Sequence, residues 1–126
     1  MIAAGSSLAA DLESGDVVAL NGQLGAGKTH FSKGIVAGLG SGDEVTSPTF
    51  ALVQEYHGGI LPVFHFDFYR LAEVSELLRL GWDEYLDEDG ILLVEWADKF
   101  PDVLPDGTRW FDLTVEDDGN HVVTER

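Results

Sequence analysis

The eight residues Gly22-Gln23-Leu24-Gly25-Ala26-Gly27-Lys28-Thr29 satisfy G-x-x-x-x-G-K-[ST] at every fixed position. That pattern describes a loop that cradles phosphate. Its glycines let the backbone curl so that successive N–H groups face an anion. The expected anion-binding set is Leu24, Gly25, Ala26 and Gly27, followed by Lys28, Thr29 and His30 at the start of a helix. Lys28 would set an ammonium against the β- and γ-phosphates of a nucleoside triphosphate, and Thr29 would offer its hydroxyl to a magnesium ion.

Hydrolysis of a nucleotide needs more than a cradle. It needs a carboxylate for the cation or its waters, and a group that positions the attacking water. In open α/β sheets a ligand lies beyond the carboxyl ends of the strands. Two acids have the form of residues at that edge. Glu95 ends the apolar run Ile91–Val94, as in a Walker-B strand with Glu in place of the usual Asp, and Asp67 ends Val63–Phe66. Taken singly, each is equally an exposed acid at a strand end; beside the phosphate loop, both become candidates for the magnesium shell.

The hydroxyl-rich turn Thr46-Ser47-Pro48-Thr49 lies where switch-bearing NTPases keep a segment ordered by the γ-phosphate, and is also an ordinary strand-initiating turn. Near Asp67, His65 reads as a hydrogen-bonded interior histidine and Arg70 as a surface ion-pair partner. Trp96, next to Glu95, reads as a core aromatic or as a neighbour of the nucleotide.

Positioning these groups requires a buried strand before the loop and a helix after it. Val17-Val18-Ala19-Leu20 is a short apolar run, as expected of a parallel strand covered on both faces. Phe31, Ile35, Val36 and Leu39 recur at helical spacing, with Gly38 and Gly40 as stop signals. Residues 3–14 read as a short amphipathic helix. Phe50–Tyr56 and Leu61–Asp67, separated by His57-Gly58-Gly59, read as antiparallel neighbours. Arg70–Leu80 reads as helical, the acidic stretch Trp82–Asp89 as a short helix or turn, Ile91–Trp96 as a strand, and Arg109–Glu116 and His121–Thr124 as two edge strands. The expectation is one α/β domain over residues 1–126: a three-layer P-loop NTPase fold with a mixed, mainly parallel sheet and an antiparallel hairpin.

Composition narrows the function. With 23 acidic against 7 basic residues, the formal charge is −16. Such a surface repels phosphate backbones and argues against autonomous nucleic-acid binding. It suits a basic partner protein, or simply a solvated surface. There is no cysteine, so disulfides, thiolate nucleophiles and Cys-based zinc sites drop out. No apolar run reaches membrane-spanning length, and the first residues lack a basic and apolar leader; the expected address is the cytoplasm.

Four blocks in order, G-x-L-G-A-G-K-T, S-P-T-F, H-F-D-F-Y-R and L-V-E-W, resemble the TsaE (YjeE) family of small bacterial ATPases needed for threonylcarbamoyladenosine modification of tRNA. The resemblance covers about residues 5–115. It implies slow, magnesium-dependent ATP hydrolysis coupled to a complex with the TsaD and TsaB proteins, which act on adenosine 37 of tRNA. It also implies phosphate and magnesium roles for Lys28 and Thr29, a magnesium role for Glu95, a second catalytic acid in Asp67, and a switch-like loop at Ser47-Pro48-Thr49, with Thr49 among the catalytic residues. This sequence departs from the family pattern in having His30 where a second threonine is common. It also has Asn120 and His121 where a basic residue of the C-terminal hairpin can approach the nucleotide.

Two other classes compete. A small P-loop metabolite kinase would surround the γ-phosphate with arginines from a lid, and only Arg70, Arg79, Arg109 and Arg126 are available. A non-catalytic module would use the nucleotide only to order Thr46–Thr49 into a partner surface.

Overall fold

The computed structural model describes residues 2–22, 27–40, 42 and 53–126. Its elements run α1 (Ile2–Ala9), β1 (Val17–Asn21), α2 (Lys28–Gly38), β2 (Val53–Tyr56), β3 (Val63–Asp67), α3 (Val74–Arg79), α4 (Trp82–Leu86), β4 (Ile91–Glu95), β5 (Arg109–Val115) and β6 (His121–Glu125). Short 3-10 turns follow β3 at Phe68–Arg70 and β4 at Ala97–Lys99 and Pro101–Val103.

The six strands form one sheet in the order β2-β3-β4-β1-β5-β6. β1 pairs in parallel with both β4 and β5, and β3 pairs in parallel with β4. The outer pairs β2–β3 and β5–β6 are antiparallel. The expected mixed sheet is therefore present, with one correction. β5 is an interior strand, because its Arg109–Asp112 segment lies beside Val18–Asn21, and β6 alone forms that edge of the sheet, opposite β2. Alternating burial had disguised it: β5 is only partly buried even though it is paired on both sides.

Side chains of the central strands alternate between two cores. Val18 and Leu20 pack with Phe31, Ile35 and Val36 of α2 and with Leu8 and Ala9 of α1. Val17 and Ala19 pack on the other face with Phe66, Leu77, Trp82, Leu92 and Val94. Helices on both faces make the three layers, which is why β1, β3 and β4 are buried along their whole length. Trp82 anchors the second face edge-on between Phe66 and Phe68, at ring-centroid distances of 5.0 and 5.5 Å.

α1 ends at Ala9, earlier than the 3–14 pattern suggested. What it lacks in length it recovers in closeness to α2. A Cβ on Gly34 would collide with the carbonyl oxygen of Ile2, and one on Gly5 with that of Phe31. One on Gly38 would sit 2.7 Å from Ala9 Cβ. Ser6 Oγ donates to the Gly34 carbonyl at 3.1 Å across the same seam. This seam locks α1 onto α2, the helix whose first turn carries Lys28 and Thr29.

Candidate active site

β1 delivers the chain to the phosphate-loop pattern and α2 leaves from it. Leu24, Gly25, Ala26 and Thr49 lie outside the described residues, as do the rest of Gln23–Ala26 and of 43–52. The described end of the loop has the conformation the motif needs. Gly27 has φ 97°, a left-handed value that a side chain disfavours, and its carbonyl accepts from Phe31 N at 2.9 Å to open α2. The N-terminus of an eleven-residue helix adds its partial positive charge at that point. Lys28 and Thr29 occupy its first turn; His30 is exposed.

Across from this turn, the carboxyl ends of β3 and β4 bring two acids together. Val63, His65 and Asp67 alternate onto the α2 face of the sheet, and Ile91, Leu93 and Glu95 onto the same face of the next strand. Asp67 and Glu95 are direct register partners. Asp67 is 8% exposed and Glu95 2%. Asp67 Oδ1 accepts from Tyr69 N at 2.9 Å, capping the 3-10 turn that follows β3. Glu95 Oε2 lies 2.7 Å from His65 Nε2, and both side chains are buried. His65 is thus the interior, hydrogen-bonded histidine expected of it, and its partner is the Walker-B-like acid.

Lys28 closes the set. It is 6% exposed. Its Nζ donates to the Gly22 carbonyl at 2.6 Å and sits 3.9 Å from the centre of the Trp96 ring. Burial pushes its ammonium below the usual lysine value, while the charges of Glu95 and Asp67 pull back upward. Burial holds the Asp67 carboxyl above the usual range; the Tyr69 N–H lowers it, Glu95 raises it further, and His65 and Lys28 lower it.

Trp96 reaches Lys28 through an uncommon backbone. Its φ of 57° makes it the one non-glycine residue in the left-handed region among the described residues. The turn is stitched to the end of β1: Trp96 N donates to the Leu20 carbonyl at 3.1 Å, and Asp98 N to Asn21 Oδ1 at 3.1 Å. Tyr69 stacks on the indole with centroids 4.9 Å apart. Trp96 is half-buried: it packs against the second core and lies against the phosphate-loop lysine. Asn21 is a structural residue that the motif pattern does not mark. A polar residue closing an apolar strand just before the phosphate loop was the available signal.

The donor set suits a hard cation held with a nucleotide. Magnesium takes oxygen ligands and is usually held through one or two carboxylates together with substrate phosphates and water. Thr29, Glu95 and Asp67 offer oxygens only. Among the described residues no three His, Cys, Asp or Glu side chains form a cage of their own. A groove of about 450 Å³ lined by Glu55, His57, Phe64, Leu80, Tyr85 and Glu88 lies apart, and neither Lys28, Asp67 nor Glu95 borders it.

The family described as "Threonylcarbamoyl adenosine biosynthesis protein TsaE" matches residues 1–124. The chain belongs to the TsaE family. It is 50% identical over 97 residues to the tRNA threonylcarbamoyladenosine biosynthesis protein TsaE of Bacillus subtilis, an overlap of 77% of this chain and 60% of that one. It is 43% identical over 113 residues to the protein of the same name from Treponema pallidum, covering 90% and 83% of the two chains. The crystal structure of Bacillus subtilis YdiB superposes with a TM-score of 0.81 at 37% identity, over 98% of this chain and 76% of that one. The chain thus spans only part of the length of these TsaE relatives.

The C-terminal hairpin carries one basic group close to these turns. Arg126, one residue beyond β6, reaches Asp112 at 2.9 Å and Asp98 at 3.3 Å, and its guanidinium lies 5.0 Å from the Trp110 ring. Asp98 belongs to the same turn as Trp96, so a cation does stand near the carboxyl edge, balanced by two carboxylates. Among the described residues no helix is long and apolar enough to cross a membrane.

Proposed function

We propose that this chain is the ATP-binding and slowly ATP-hydrolysing component of tRNA threonylcarbamoyladenosine formation, acting in the cytoplasm as one domain with TsaD and TsaB homologues. The observation that carries the reading is the convergence of Lys28, at the mouth of α2, with Asp67 and Glu95, register partners at the carboxyl ends of β3 and β4. Membership of the TsaE family supports the biological setting.

In this reading the α2 N-terminus and Lys28 hold the phosphates, and the phosphates replace the Gly22 carbonyl as the partner of Nζ. Thr29 Oγ1 and Glu95 would hold magnesium, which would supply positive charge to offset that of the phosphates. Asp67 orients a water for in-line attack on the γ-phosphorus and accepts its proton as the bond to the ADP oxygen breaks, leaving ADP and phosphate. Burial suits that role, because it raises the carboxyl's affinity for a proton. Thr49 and its turn would report the γ-phosphate to the partner proteins.

The kinase alternative loses ground on one observation. Arg109 is paired with Glu125 at 2.9 Å, and Arg126 with Asp112 and Asp98, so two of the four arginines already serve the β5–β6 hairpin. The test is calorimetry of magnesium-ATP binding together with phosphate release, with and without the TsaD–TsaB pair. Lys28→Ala is expected to abolish binding. Glu95→Ala is expected to keep the nucleotide binding measured without magnesium and to lose turnover; unchanged turnover would sink its assignment.

A further inference from the structure

We propose that His65 is a positioning residue: its Nε2–H holds the Glu95 carboxylate in the orientation that meets magnesium at the phosphate loop. The inference rests on the nucleotide-binding reading above and adds a residue outside that set.

Three observations carry it. First, the contact is short and dry: Nε2 to Oε2 is 2.7 Å, and the two side chains are 0% and 3% exposed. A hydrogen bond to a charged oxygen in such surroundings is stronger than one in water and fixes a rotamer. Second, the ring has no competing anchor. Among the described residues the buried Nδ1 has no hydrogen-bond partner, so Glu95 is the group there that orients the imidazole and is oriented by it. Were His65 merely filling core, an aromatic hydrocarbon would fill the place without stranding a polar nitrogen. Third, the sheet dictates the geometry. His65 lies two residues before Asp67 on β3, in register with Leu93 of β4, which lies two before Glu95. The imidazole therefore approaches Glu95 from below, along the same face, leaving the strand ends to the ligand. Tyr56 packs on the ring from β2 at 6.2 Å between centroids and backs it.

An ionised carboxylate can only accept, so the donor must be Nε2–H and the acceptor Oε2. Ligand-bearing carboxylates are commonly held by such outer partners, whose loss costs about 10- to 100-fold in metal affinity or activity.

The experiment compares ATP affinity by calorimetry in EDTA and in excess Mg2+, for the full chain. His65→Leu should leave affinity in EDTA within about twofold and lower the magnesium-dependent gain by about 10- to 100-fold. His65→Gln, which keeps an N–H near the position of Nε2, should restore most of the gain. In a Glu95→Gln background, His65→Leu should cost nothing further. A full magnesium gain in His65→Leu, an additive loss in the double variant, or no rescue by glutamine overturns the proposal. If the wild-type chain shows no magnesium-dependent ATP binding, the nucleotide reading itself fails and the proposal falls with it. Should His65→Leu not fold, ring 15N spectra of the wild-type protein decide. A protonated Nε2 is expected, and an unprotonated Nε2 overturns the inference.

Discussion

Asp67 and Glu95 stand opposite each other in the parallel register of β3 and β4, two buried carboxyl groups on the same face of the sheet. Like charges held that close resist joint ionisation, and burial adds to the resistance. In the free protein this is a standing cost. On the proposed nucleotide-binding reading, the same pair would receive a cation.

That cost gives a stability prediction with a definite sign. The carboxyl of Asp67 binds its proton more tightly folded than unfolded, so its contribution favours folding below the unfolded value and is lost as pH rises through the raised folded value. Asp67→Asn should therefore stabilise the free protein at pH 7 by about 0.5–2 kcal/mol, with the gain shrinking toward pH 4. Urea unfolding of both proteins at the two pH values measures it. ATP turnover should fall at the same time.

Lys28 predicts proton uptake. Desolvation lowers its proton affinity in the free protein, and phosphates placed at Nζ would restore it. Binding of ATP at alkaline pH, between the lowered value and 10.5, should take up a fraction of a proton. Calorimetry in buffers of different ionisation enthalpy reads the difference; buffer-independent heats at pH 9–10 would contradict it.

Trp96 predicts an optical signal. Its ring carries Lys28 Nζ at 3.9 Å, and phosphate should draw the ammonium away. Magnesium-ATP should change the intrinsic tryptophan emission, and Trp96→Phe should remove that change while Trp82 and Trp110 continue to emit. Persistence of the signal in Trp96→Phe would place the movement elsewhere.

The α1–α2 seam predicts a steric limit. Gly34→Ala puts a methyl into the Ile2 carbonyl and should cost about 1–3 kcal/mol or detach α1. Gly107→Ala, with nothing within 4 Å of the new Cβ, should stay within about 0.5 kcal/mol of wild type. Chemical denaturation separates the two.

Much of this was legible in order along the chain. The phosphate-loop pattern marked Lys28 and Thr29 because its spacing is local chemistry. The continuous apolar runs Val17–Leu20 and Ile91–Val94 marked interior parallel strands, since only strands covered on both faces lose their alternation. The acids closing Val63–Phe66 and Ile91–Val94 were marked for the same reason. β5 was misread as an edge because half-exposed residues conceal pairing on both sides, and pairing is a property of the neighbour rather than of the strand.

What the sequence determined alone was local: the turn-and-helix chemistry of the phosphate loop, the strands and their burial, and an acid at each of two strand ends. Only the tertiary structure decided that those ends adjoin, that His65 and not solvent meets Glu95, and that the strained turn at Trp96 brings an indole to Lys28. Spacing along a chain specifies periodicity and turn chemistry. It carries no distance between β3 and β4, which is set by strand order and register in the folded sheet.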